Sequence, residues 1–125
     1  MTDRQKQTLL KDLCARLPYG VRVKCGREIL TLNVNWLQMF QYHLDEIKPY
    51  LRPMSSMTDN ERKEYESFIF TQYHEWDGHG TSTEYVEIDD VERYVTWLNK
   101  KGFDYRGLIP IGLALEAPEG MYKTE

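Results

Sequence analysis

The sequence predicts an α+β fold. It sets an N-terminal helix and a small antiparallel sheet in residues 1–53, and packs a mainly helical second half, 54–125, against them as one domain. Three observations predict this. Apolar residues recur at helical spacing near the start; they alternate with polar residues over 20–34; and a strong helix-start signal stands at Thr58. At 125 residues the chain is long enough for one core.

Thr2 followed by Gln5 reads as a capping box. Leu9, Leu10, Leu13, Cys14 and Leu17 then form one stripe, and Pro18 ends the helix by forcing Leu17 out of helical backbone. Val21, Val23 and Cys25 alternate with Arg22 and Lys24, and Leu30, Leu32 and Val34 with Ile29, Thr31 and Asn33. These are two strands about a Gly26-Arg27 turn, with Cys25 facing inward as a small core residue. Trp36–Leu44 fits either period. A third strand is expected there, because a lone hairpin is marginal, and a barrel-like closure of the sheet is compatible with the pattern. Pro49 and Pro53 hold 48–53 extended as a crossover. Thr58 with Glu61 is the clearest capping box, opening a helix expected to end near His74–Asp77. A polar loop 77–83 and a short strand 84–88 follow. A further helix starts near Asp89, capped by a left-handed Gly102 with Phe103 against Leu98. The 113–115 segment is placed to add to the sheet.

Two stretches are unusually dense in Pro, Arg, aromatic and small residues: 48–58, KPYLRPMSSMT, and 97–118, WLNKKGFDYRGLIPIGLALEAP. With Leu17-Pro18-Tyr19-Gly20-Val21, they resemble a family of small uncharacterised bacterial proteins found on mobile elements, often prophage-like. The resemblance implies a full-length accessory protein with no established activity and supplies no catalytic residues.

Composition narrows the function classes. The N-terminus has no apolar leader and no run reaches a membrane span, so a cytoplasmic chain without membrane contact is expected. Cys14 and Cys25 alone make neither a metal cage nor a disulfide framework, and both thiols are expected reduced. Net charge is −4, split unevenly: nine Lys/Arg against five Asp/Glu in 1–53, and seven against fifteen in 54–125. Such a dipole can steer a partner or hold the two halves together.

Candidate chemistry is sparse. His74, Asp77 and His79 in HEWDGH are metal-ligand types, but their spacing matches no metal box, and a polar loop is the better reading. His43 beside Asp45 and Glu46 lacks a nucleophile and is expected at a strand edge. Gly102, Gly107 and Gly112 follow a helix rather than opening one, so they form no phosphate loop. Arg22, Lys24 and Arg27 on the hairpin, with Arg4, Lys6, Lys11 and Arg16 near them in sequence, form a basic face able to track a phosphate backbone. The expected function is therefore a non-enzymatic module that binds a protein partner and needs no cofactor. Nucleic-acid binding by the hairpin is the alternative, and a metal-dependent role for HEWDGH a second.

Overall fold

The computed structural model describes residues 1–69, 71–76, 82–87 and 91–122, with side chains for 1–67 and 92–122. Among these residues the fold is α+β: four α-helices, an open four-stranded mixed sheet, and a separate two-stranded hairpin.

Helix α1 spans Asp3–Arg16, and the Thr2–Gln5 capping box that opens it has both reciprocal bonds. Pro18 does not act through Leu17, which keeps helical angles. Instead the chain tightens into a 3₁₀ turn over Leu17–Tyr19, and Gly20 at φ 75° ends it in the left-handed region. Strands β1 (Arg22–Cys25) and β2 (Glu28–Thr31) pair about Gly26-Arg27, Gly26 supplying the positive φ the two-residue turn needs. Val23 is fully buried and Cys25 half-buried against the core, as expected, whereas Cys14 is exposed.

Asn33 and Val34 do not continue the second strand, and Trp36–Leu44 is not a third. Helix α2 covers Val34–Phe40, because the Asn33 side chain caps it by accepting the Trp36 N–H at 2.9 Å, and because Trp36 and Phe40 stack one turn apart at 5.7 Å. His43 consequently lies in the turn after α2, exposed. The third strand is the segment expected as a crossover: β3, Ile47–Leu51, extended through Pro49. It pairs antiparallel with β1 and parallel with β6, Leu115–Glu116, so the sheet runs β2-β1-β3-β6. It is mixed rather than antiparallel, and it is not closed into a barrel. The core on its inner face comprises Leu9, Leu13, Val21, Val23, Leu32, Phe40, Ile47, Leu51 and Leu108 among others.

Helix α3 spans Asp59–Ile69, and the Thr58–Glu61 capping box has both bonds. It does not run on to His74–Asp77. Strand β4, Thr71–Trp76, takes over and pairs with β5, Ser82–Glu87. Thr, Tyr and Trp favour extended backbone, and the antiparallel partner is what a single-segment reading lacks. Helix α4, Val91–Lys101, ends as expected. Gly102 has φ 81°, the Phe103 N–H bonds the Leu98 carbonyl at 3.0 Å, and the Gly102 N–H bonds that of Asn99 at 3.2 Å. Trp97, Leu98 and Phe103 form a second apolar cluster with Tyr65, Tyr94 and Tyr105.

Tyr122 locks the sheet where β1 and β3 part. The last ladder pair is Val23 opposite Pro49. One step on, the Tyr122 hydroxyl stands between the strands, accepting from the Arg22 N–H (2.9 Å) and donating to the Tyr50 carbonyl (2.7 Å). Its ring lies on Gly102, where a Cβ would come within 3.2 Å of it. Tyr122→Phe orphans both backbone groups and is expected to destabilise the protein by about 1–3 kcal/mol, read as a lower urea midpoint at unchanged slope. Burial raises the Tyr122 pKa above its ordinary 10.0, against the opposing influence of the Arg22 N–H and the nearby arginines. This favours the folded state below pH ~10 and is lost at more alkaline pH, so the variant also loses that alkaline sensitivity.

Candidate binding surfaces

Three cationic or apolar regions face solvent. The first is the outer face of the sheet. Register places Lys24 opposite both Ile29 and Lys48, and Arg22 opposite Thr31. Lys24 and Lys48 are exposed neighbours of like charge, an unfavourable pair taken alone. A hollow of about 240 Å³ lined by Lys24, Gly26, Asp45, Glu46, Lys48 and Leu115 brings two carboxylates beside them. These acids come from the first half of the chain, not the second. Arg27 is exposed in the turn, next to Glu28. Arg22 is half-buried, and its Nε finds no hydrogen-bond partner among the described residues. The three expected hairpin cations thus share a strand-turn unit, but only Lys24 and Arg27 reach solvent freely, and acids flank both.

The second region is α1 with the loop after α4. Arg4, Gln7, Thr8 and Lys11 follow one another at helical spacing and, with Arg106, line a shallow cleft of about 520 Å³. No acidic side chain lines it. Arg106 is positioned from beneath: its Nε bonds the buried Asp12 carboxylate at 3.1 Å, and an Nη bonds the Tyr105 hydroxyl at 3.0 Å. Arg16, expected on the basic surface, is instead buried, held by Asp12 at 2.9 Å and by the Phe103 carbonyl.

The third region was missed by residue-type motifs because its signal is an absence. Ile29–Leu44 is sixteen consecutive residues without Asp, Glu, Lys or Arg, where the chain average of 29% would put about five. Trp36, Leu37, Phe40 and Leu44 turn into the core. Ile29 (45% exposed), Val34 (56%), Met39 (60%) and Tyr42 (82%) turn out. Asn35, Gln38, Met39 and Tyr42 fall on one stripe of α2 and the turn beyond it. Ile29 lies in β2, an edge strand of the described sheet.

Of the proposed metal residues, Asp77 and His79 lie outside the described residues, and only the backbone of His74, in β4, is described. Among the described residues no group of three or more His, Cys, Asp or Glu is arranged to hold a metal ion, and no helix is long and apolar enough to cross a membrane. Comparison with protein-family models, curated proteins and solved structures finds no match to the chain.

Proposed function

We propose that the chain is a non-enzymatic module that binds a protein partner through the exposed side chains of the charge-free segment Ile29–Leu44. The observation that carries this reading is the concentration of exposed Ile29, Val34, Met39 and Tyr42 in the one long segment without charge. Depletion of charge with enrichment of Tyr and Met marks the buried centre of protein interfaces. As an edge strand of the described sheet, β2 is a second means of engaging an extended segment. The accessory role implied by the resemblance of 48–58 and 97–118 to mobile-element proteins belongs to the same reading.

A photo-crosslinking side chain in place of Met39 or Tyr42 is expected to give, in cells, one adduct of discrete mass. Gln38→Glu, which puts a charge on the same stripe of α2, abolishes it. The same crosslinker in place of Ile111, exposed elsewhere at 54%, gives none. Equal adducts from both places, or none from Met39 and Tyr42, refutes the reading.

Nucleic-acid binding by Arg22, Lys24 and Arg27 is supported by the exposed Lys24–Lys48 pair and opposed by Asp45 and Glu46 in the same hollow. It is the weaker reading for that face.

A further inference from the structure

We infer a second binding site, for a nucleic-acid phosphate backbone, in the cleft between α1 and Arg106. The argument rests on what the cleft holds and what it lacks. Three cations, Arg4, Lys11 and Arg106, line it with the neutral hydrogen-bonding side chains of Gln7 and Thr8, and no carboxylate does. Asp12, the nearest acid on the inner side of α1, is fully buried and already bonded to Arg16 and Arg106. Arg4 and Lys11, two turns apart, lie about 10 Å from each other along the helix axis. Arg106 is no free surface side chain. Asp12 and the Tyr105 hydroxyl fix two of its nitrogens, its guanidinium carbon lies 4.9 Å from the Tyr105 ring centre, and it stays a quarter exposed. A pre-positioned guanidinium loses less freedom on gripping a phosphate.

The shape of the cleft selects among anions. It is open and no apolar residue lines it, so it does not enclose a small phosphorylated molecule, which needs most of its surface buried. Apolar side chains of α1 that a membrane surface would need, Leu9 and Leu13, are fully buried in the core. An acidic peptide would find no pocket for the apolar anchors that give peptides their affinity. A nucleic-acid backbone needs neither enclosure nor anchors, because release of its counterions supplies the affinity.

The test is fluorescence anisotropy of a labelled single-stranded DNA of about twenty nucleotides with the full chain, across salt. With three cations engaged, a slope near −2 is expected, a loss of about 20-fold between about 50 and 200 mM salt. Arg4→Glu with Lys11→Glu, both exposed and outside the core, is expected to weaken binding at least about 10-fold at the lower salt and bring the slope below about 1. Lys24→Glu with Lys48→Glu, on the sheet face, is expected to leave both values unchanged. Four results overturn the inference: no binding at about 50 mM salt; the same affinity in the Arg4/Lys11 variant; loss of binding in the Lys24/Lys48 variant instead; or displacement of the DNA by polyglutamate or anionic lipid vesicles more readily than by unlabelled DNA at equal charge. Because the α1 cleft and the Ile29–Leu44 segment share no residue, failure here leaves the protein-binding reading standing.

Discussion

Glu61→Ala is expected to destabilise the protein by about 3–5 kcal/mol, the cost of leaving a buried cation without its counter-ion. The Glu61 side chain is fully buried and meets Arg52 through two bonds of 2.7 Å each. One of its oxygens also accepts the Thr58 N–H at 3.0 Å, closing the capping box of α3. Arg52 in turn ties three elements together at the end of β3. Its guanidinium bonds the Lys101 and Ser56 carbonyls and lies 4.2 Å from the Phe103 ring centre, while its backbone bonds Gly102 and Asp104. Truncating Glu61 therefore removes half of the α3 capping box and strands a charge together. Replacing both partners with apolar residues, Arg52→Met with Glu61→Leu, is expected to cost less than Glu61→Ala alone, since no charge is then left buried.

The pair also sets an acid limit. Burial alone would raise the Glu61 pKa, but the Arg52 and Thr58 hydrogen bonds and the Arg52 charge outweigh it and hold the carboxyl below its ordinary 4.5. A lowered pKa means the contribution is fully present above pH ~4.5 and lost as pH falls through the lowered value. Urea midpoints should fall on that acid limb in the parent and more shallowly in Glu61→Gln. A cost for Glu61→Ala below about 1 kcal/mol would show that water reaches the pair.

What was legible in the sequence divides by range. Both capping boxes and the Gly102 cap follow from residues three to five apart, and all three are present. Trp36–Leu44 was misread because Phe40, Tyr42 and Leu44 alternate as well as they turn. What decides for helix is Asn33 capping Trp36, a local signal overshadowed by the expected need for a third strand. Proline supported an extended 48–53, but the partners that make it a strand come from β1 and from β6, more than sixty residues on. The burial of Asp12 and Arg16 was invisible for the same reason. Their partners Phe103 and Arg106 are 87 and 94 residues away. Helical spacing does put Asp12 and Arg16 on the Leu9–Leu13 face, but nothing within α1 supplies the partners that let charges stay buried there. As for the candidate surfaces, Arg4 and Lys11 were visible as cations but not as a cleft, which needs Arg106. The charge-free 29–44 stretch was fully legible as a missing residue class.

The second large effect is expected at Asp12. This one carboxylate serves two cations, Arg16 through Oδ2 at 2.9 Å and Arg106 through Oδ1 at 3.1 Å. Arg16 is 1% exposed, and one of its terminal nitrogens has no hydrogen-bond partner among the described residues. The remaining compensation is neutral: the Phe103 carbonyl accepts from Arg16, the Tyr105 hydroxyl accepts from Arg106, and the Tyr105 ring centre lies 5.2 Å from the Arg16 guanidinium carbon and 4.9 Å from that of Arg106. The cluster thus already carries an excess of positive charge, and Asp12→Asn leaves it with no anion. A loss of about 3–5 kcal/mol is expected, a large share of the stability of a domain this size. Arg106→Met removes a cation instead of the anion and leaves Asp12 matched to Arg16, so it should cost no more than about 1 kcal/mol, in keeping with a partly exposed ion pair. Urea unfolding of the two variants side by side checks the ordering. If Arg106→Met proved as damaging as Asp12→Asn, the carboxylate would be acting through Arg106 alone, and the burial of Arg16 would need another source of compensation. If both were mild, the cluster would be hydrated, and the grip on Arg106 that the α1 cleft depends on would be looser than its two hydrogen bonds imply.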